Sequence, residues 1–471
     1  MNLNLSNTRE ARFLPGVVKY CYVFTIALVL LAFAGANAQA PDWQWAKGIG
    51  GTGGDLSYSI AVDKTGNIYT TGTFSGTVDF DPGVGVFNLT STGSSDIFIS
   101  KYDNSGNFIW AKSAGGTSSS YSYSNSVATD FSGNIFITGV FVGPTITFGT
   151  TTLTNVGTSG FDIFLTKYDS NGNVIWAKSA GGNWSDQSLS VSTDISGNVF
   201  ITGLFSYQIT FGTTPLTGAG DLDIFIVKYD SSGNVLWAKS EGGTGDDRGY
   251  CVATDANGNI FITGPFDSPT ITFGATTLTK GGITDIFIAK YDSSGNVLWA
   301  KRAGGTKYDI GISVATDASG NVFMTGYFGS PTIKFGTTTL TKTGVNSLDI
   351  FITKYNPNGN VLWAKGAGGT AGEIGYSVAT DTSGNAFVSG YFASPTITFG
   401  TTTLSNAGSN DIFITKYSAS GNVLWAKGVG GIDSDVGHSV CTNTSGDVFI
   451  TGYFSSPNLI FWNYYFNQSG Q

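Results

Sequence analysis

From residue 42 onward the apolar positions of this chain fall into short runs of β-branched and aromatic residues, separated by clusters of Ser, Gly, Asn and Asp. In "DIFITKY" (Asp411–Tyr417) Ile412 and Ile414 alternate with Phe413 and Tyr417, so both faces of the run are apolar. Such runs predict strands, and strands buried on both sides. The Gly-Asn turns between them tolerate the positive φ that tight hairpins require. No stretch beyond residue 38 carries helical periodicity.

The runs repeat. Trp-Ala-Lys begins at Trp45, Trp110, Trp176, Trp237, Trp299, Trp363 and Trp425, at spacings of 61–66 residues. A Thr-Asp-x-x-Gly-Asn marker sets Asp63, Asp130, Asp194, Asp255, Asp317, Asp381 and Asn443 in register. Each unit reads as four strands: "YSVATD", "NAFVSGYF", "DIFITKY" and "NVLWAK", with a Thr-rich passage between the second and third. Four-stranded sheets packed face to face about an axis bury both faces of every sheet. The expected fold is therefore all-β, a seven-bladed β-propeller of four-stranded antiparallel blades. The glycine of every second strand (Gly72 and its equivalents) fits a bulge or close packing near the axis. "DWQWAK" (Asp42–Lys47) is a fourth strand with no preceding three, so it is expected to close the last blade and remove a sheet edge. That blade lacks a "DIFITKY" and is expected to be incomplete. Residues 458–471 form an atypical end, with Phe461–Phe466 the one substitute available and a truncated chain the preferred explanation.

The first 38 residues read differently. Arg9, Arg12 and Lys19 precede an apolar run, Tyr20–Gly35, and the small-x-small site Ala36-Asn37-Ala38. This is the order of a secretory signal peptide cut after Ala38. The run is short for a membrane span, and Cys21 lacks the preceding small residues of a lipid-anchor site. The propeller is then residues 39–471, exported to the cell surface, the medium or the periplasm, with no transmembrane segment and a monomeric state expected.

Segment 1–38 holds three of the 23 basic and one of the 32 acidic residues, leaving a formal charge of −11 on the remainder. Such a surface repels nucleic acid and anionic lipid. Arg248 and Arg302 are the only arginines left, too few for clustered phosphate recognition. Cys251 and Cys441 lie three repeats apart and are expected as free, buried thiols, so packing must hold the fold.

The units "VATDxSGNVFITGYF", "TITFGTTTL" and "DIFITKYDSSGNVLWAK" resemble the bacterial seven-bladed β-propeller repeat family over about 42–457. "GTVDFDPG" (Gly76–Gly83) is similar to a phrase of exported members from Bacteroidetes-like bacteria. The resemblance implies a fold more than an activity. In many exported relatives it also implies a C-terminal sorting domain, which is not found here.

Candidate chemistry is sparse. Eight residues before each Thr-Asp marker stands an acid: Asp55, Asp186, Asp247, Asp309, Glu373 and Asp435, with Ser122 the exception. They precede the innermost strands on the top face, together with the Thr-rich passages. One reading is a ring of oxygens for Ca²⁺; the other is that each acid caps its own loop. At a blade spacing of ~10 Å, repulsion between neighbours is roughly 0.4 kcal/mol in water and ~1.7 at an effective dielectric of 20. That is tolerable without metal and too wide for shared chelation, which favours the caps. The turn acids, Asp63 to Asp381, most simply accept backbone N–H groups. Asp79 and Asp81 share a face, as an ion site or acid–base pair would, or they cap the turn at Pro82. His438 is the sole histidine, so no histidine-based triad or metal centre is available beyond it. Trp184, in "GGNWSDQ" beside Asp186, suits sugar stacking or plain loop packing.

The leading expectation is a non-enzymatic, exported propeller presenting its top face to an extracellular glycan or protein. Trp184, Asp186, Asp247, Asp309, Glu373, Asp435 and Asp55 are its candidate ligand-binding residues, and Asp79 and Asp81 its candidate metal residues. No cofactor is required, and Ca²⁺ is the one metal the acids would suit. The alternatives are a polysaccharide-degrading enzyme using Asp186, Asp79 and Asp81, and a purely structural envelope repeat.

Overall fold

The computed structural model describes residues 22–28, 40–117, 120–157, 160–461 and 464–467. Six four-stranded antiparallel sheets, each drawn from one repeat with a separate hairpin between its second and third strands, stand around a central channel. The first such blade comprises Leu56–Val62, Ile68–Phe74, Asp96–Tyr102 and Phe108–Ala114; the sixth ends with Val423–Val429. First strands line the channel, and fourth strands form the partly exposed outer rim. Second and third strands lie between neighbouring sheets, and in the first blade every residue of both is buried. This is the burial that two-faced apolar runs demand.

The expectation of seven blades with an incomplete last one is corrected here. Six blades follow from consecutive repeats. The seam between them is closed by a composite four-stranded sheet: Asp435–Thr442, Val448–Phe454, Tyr22–Leu28 and Trp43–Ile49, in that order. Trp43–Ile49 is the closing fourth strand, as its sequence implied. The third strand, however, is Tyr22–Leu28, from within the apolar run assigned to the leader. Both readings rest on the same property, because seven consecutive apolar and β-branched residues suit a buried strand as well as a leader. Phe461–Phe466 does not substitute for that strand: Asn458–Phe461 pairs with Tyr464–Asn467 as a separate hairpin, and Phe461 packs edge-on to Trp43 with ring centroids 5.4 Å apart. Cys21, the residues before it and the expected cut after Ala38 lie outside the described residues.

The repeated phrase is explained at the junctions between sheets. The turn carbonyl of Ser170 accepts two bonds from the preceding blade, Trp110 Nε1–H at 3.2 Å and Lys101 Nζ at 3.0 Å. Ser231 does the same for Trp176 and Lys167, and Ser293 for Trp237 and Lys228. Each lysine also lies over the aromatic ring of its own second strand, 4.7–5.3 Å from the centroid, where a partly desolvated cation–π contact is worth about 1–2 kcal/mol. The turn glycine completes the fit. At Gly172 φ is +80°, and a Cβ would come within 3.1 Å of the Trp110 ring.

A second set of contacts runs around the channel. Ser59 Oγ accepts the Val127 amide at 3.1 Å, Ser126 that of Val191, Ser190 that of Val252, Ser313 that of Val378 and Ser377 that of Val440. Ser439 Oγ accepts the Ile60 amide at 3.4 Å and so carries the set across the seam. Cys251 interrupts it, its thiol facing the Val314 carbonyl at 3.7 Å. The second-strand glycine marks a bulge in the first strand, as expected: the register shifts between Ser57 and Ser59, and a Cβ at Gly72 would lie 1.9 Å from the Leu56 carbonyl.

The Thr-rich passages differ from their reading as top-face loops. Each is a two-stranded hairpin, as in Thr145–Phe148 with Thr151–Thr154. Ile146 and Phe148 are fully buried, and Phe148 meets Phe164 at 5.0 Å. The apolar pair in "TITF" seals the space between adjacent fourth strands, and the threonines form its polar outer side.

Candidate functional site

The innermost strands enclose a cavity of about 620 Å³ on the axis. Its wall is two-sided. Tyr58, Tyr250, Tyr376 and His438 line one part, and Asn125, Gln187 and a run of serines line the other. Second-strand tyrosines thicken the aromatic part. His438 lies 4.8 Å from Tyr376, 5.5 Å from Tyr453 and 5.4 Å from Tyr58, and Tyr376 lies 5.9 Å from Tyr391, all between ring centroids. Burial brings His438 down to about 4, so the imidazole is neutral at pH 7. Burial also pushes the Tyr327 hydroxyl up to about 12, the nearby Tyr250 and Tyr391 adding to it. The cavity is thus uncharged except at its top edge, where Arg248 pairs with Asp246 at 3.0 Å.

The top acids do not face this cavity. Asp55, Asp186, Asp247, Asp309, Glu373 and Asp435 are each fully buried beneath their own loops. Asp247 accepts the amides of Gly243, Asp267 and Ser268, and the Ser268 hydroxyl at 2.6 Å. Asp309 and Asp435 repeat the pattern with Ser330 at 2.7 Å and Ser456 at 2.6 Å, and Glu373 with Ser394. Asp55 accepts the amides of Gly51 and Ser75. A second acid series, which sequence reasoning missed, stands beside the first at the head of the third strands: Asp96, Asp162, Asp223, Asp285, Asp349 and Asp411, all buried. The signal was in plain view, since each third strand opens with Asp, a poor strand former. Burial pushes Asp162 and Asp411 up to about 6 and Glu373 to about 7.

Asp186 departs from the others. Where the later blades place the capping serine, 21 residues on, this blade has Tyr207, and the loop is one residue shorter. Tyr207 has φ of +58°, the only non-glycine residue with positive φ among the described residues. Its ring projects outward and lies 5.4 Å from Trp184, with both rings at least half exposed. Beneath them Asp186 Oδ2 is left without a hydrogen-bond partner. Burial pushes this carboxyl up to about 8, the Ser206 amide working against it and the Asp162 carboxylate adding to it. A tyrosine in the left-handed region costs about 1–3 kcal/mol, and the uncapped carboxylate costs more. Ser185, next to Trp184, and Leu204 line the cavity, while Trp184 and Tyr207 stand on the loops outside its lining.

Asp79 and Asp81 cap their loop: Asp79 Oδ1 accepts the amides of Asp81 and Phe87, and Asp81 Oδ1 that of Gly83. Among the described residues no group of three or more His, Cys, Asp or Glu is placed to hold a metal ion. Cys251 and Cys441 are free thiols. No helix among the described residues is long and apolar enough to cross a membrane.

This geometry defines an all-β propeller with a central cavity and one irregular top loop. The family model described as beta-propeller repeat, SBBP, matches residues 44–73 and 109–140, from the Trp-Ala-Lys strand into the second strand of the following sheet; it supports the repeat family. The chain is 27% identical over 510 residues to an uncharacterized WD repeat-containing protein of Acanthamoeba polyphaga mimivirus, covering 89% of this chain and 36% of that one. It is 26% identical over 183 residues to the regulatory protein FlaEY of Caulobacter vibrioides, covering 35% and 19%. The match thus spans well under half the length of either relative. Among solved structures the Pan2 WD40 domain of Neurospora crassa aligns over 86% of this chain and 90% of that one, at 10% identity and a TM-score of 0.42.

Proposed function

We propose that the protein is a non-catalytic binding scaffold, and that its top face takes an extracellular glycan at the rim formed by Trp184 and Tyr207. The observation that carries this reading is the departure of one blade from its own repeat. Tyr207 replaces a capping serine at a position of backbone strain, and what it yields is an exposed aromatic pair with Trp184. Residues that break a local rule at a cost cluster at functional sites. Two tilted rings beside polar Ser185 and Gln187 suit the apolar face and hydroxyl edge of a sugar. The leader-like segment 1–38 supports an exported setting, and the acidic surface argues against nucleic acid.

The enzymatic alternative has less support. Asp186 is fully buried, and Asp79 and Asp81 each hold amides of their own loop through Oδ1. Binding of soluble polysaccharides by calorimetry, with Trp184→Ala and Tyr207→Ala beside the native chain, tests the proposal. Saturable binding lost in both variants supports it. Binding untouched by either, or release of sugar by the native protein, overturns it.

A further inference from the structure

The third-strand position of the closing sheet is built for a different strand from the one it holds. The six contiguous blades fill this position with Asp-Ile-Phe-(Ile/Leu)-x-Lys-Tyr. Tyr22–Leu28 takes the same register, residue for residue. Tyr22 pairs with Phe454 as Asp411 does with Phe392, Phe24 with Gly452 as Phe413 does with Gly390, and Ala27 with Phe449 as Lys416 does with Phe387. Even the irregularity before the last residue recurs, between Ala27 and Leu28 as between Lys416 and Tyr417. The backbone fit is complete, but the residue types at the ends of the strand are not those of the repeat.

What surrounds the position remains suited to the missing lysine. Phe449, fully buried, occupies the place of the rings over which the six lysines lie. The Asn104 carbonyl accepts Trp45 Nε1–H at 3.1 Å, the first of the two bonds that Ser170 accepts from Trp110 and Lys101. The turn keeps its carboxylate as well. In the contiguous blades Asp317 and Asp381 pair with Lys354 and Lys416 at 3.2 and 3.0 Å. In the closing sheet the Asp and Asn of the turn have exchanged places. Asp447 is buried and held by Asn443 Nδ2 at 2.7 Å, and no lysine or arginine among the described residues forms an ion pair with it. Asp63, Asp130 and Asp194 are likewise buried without an ion pair, so it is the Phe449 ring and the Asn104 carbonyl together with Asp447 that frame a place for a cation.

We propose that this position is a strand-acceptor site, and that its occupant of choice is an extended segment presenting Asp, Phe, Lys and Tyr at positions one, three, six and seven. Tyr22–Leu28 acts as a replaceable plug. Removal of the leader after Ala38, as its sequence predicts, would open the gap between Val448–Phe454 and Trp43–Ile49, two unpaired edges one strand apart. An incoming strand then gains a ladder on both sides, and its side chains set specificity.

The test uses the full chain carrying Thr25→Pro, which removes a ladder bond and ejects the plug, and a fluorescent peptide reading SNDIFITKYSA. Saturable binding is expected, at least tenfold weaker for a peptide with alanine in place of lysine. Asp447→Asn should erase that tenfold difference. Absence of saturable binding, or equal binding of both peptides, overturns the proposal. So does self-association of the variant in place of peptide binding, which would assign the position to a second copy. Should Thr25→Pro not fold, the plug is rewritten in place by Tyr22→Asp, Val23→Ile, Thr25→Ile, Ile26→Thr, Ala27→Lys and Leu28→Tyr. The melting midpoint should then rise by ~2 °C or more; no rise overturns the proposal.

Discussion

The six contiguous blades and the closing sheet share one backbone plan and differ in what their third strands contribute. A contiguous third strand delivers an acid to the top loop, a phenylalanine to the core and a lysine to the next blade's turn. The closing strand matches their ladder, but it has Tyr22 where they have Asp and Ala27 where they have Lys. Burial pushes Asp186, which lacks a serine cap, up to about 8, with the Asp162 carboxylate adding a smaller part; it pushes Asp55 up to about 6 against the Gly51 and Ser75 amides. Main-chain pairing thus closes the ring, and side-chain chemistry decides how tightly each junction is locked.

Proline substitution breaks the comparison most severely. Thr353→Pro, in a contiguous third strand, should abolish folding, because proline removes a ladder bond from a strand paired on both sides. Thr25→Pro should leave a folded protein with a lower melting midpoint, and circular dichroism on heating distinguishes the two. Next in size is Phe351→Ala, which empties a fully buried site and should cost about 3–5 kcal/mol in denaturant unfolding.

The buried acids sharpen the comparison by pH. The folded-state values of Asp55, Asp162, Asp186, Glu373 and Asp411 lie above the ordinary carboxylate range, so the folded chain keeps protons that the unfolded chain sheds above pH ~4. Stability is therefore expected to fall as pH rises from about 4 to about 8. Asp186→Asn should flatten that decline more than Asp55→Asn, by upwards of about 1 kcal/mol at pH 8, read from melts across the range. Asp63 and Asp381 work in the opposite sense. Burial acts to raise Asp63, but bonds from Thr65, Asn67 and Tyr69 outweigh it and hold the carboxyl below its usual value, so stability is also lost below pH ~4. The smallest effect is expected at the interrupted serine ring. Cys251→Ser supplies a hydroxyl where the Val314 amide awaits one and should add about 0.5–1.5 kcal/mol.

Much of this was legible in the order of residues. The Asp-x-x-Gly-Asn turn and the second-strand glycine each do what their types suggested, because each acts through backbone geometry that recurs along the chain, and Trp-Ala-Lys marked the repeat without revealing its junction contacts. Three things were hidden. Tyr22–Leu28 reads as a leader because hydrophobicity alone does not separate a leader from a buried strand. The "TITF" segments looked like loops because a four-residue strand is too short to show its period. Tyr207 was invisible because its meaning lies in a serine it replaces and a backbone angle no composition reveals. Among the candidates, Trp184 stands exposed on its loop, while the six top acids are turned into their own loops.

The two donors that each of the first five blades sends to the next turn all point the same way around the axis. Each of these junctions gives on one side and receives on the other, so the ring has a sense of rotation. A unit duplicated or lost by recombination carries both halves of its contact with it, and its neighbours meet familiar surfaces. The number of blades is then limited by the curvature that the packed sheets can sustain rather than by any single pairing. Change in such a lineage should concentrate where the chain's two ends are stitched together, the one junction that duplication cannot copy whole.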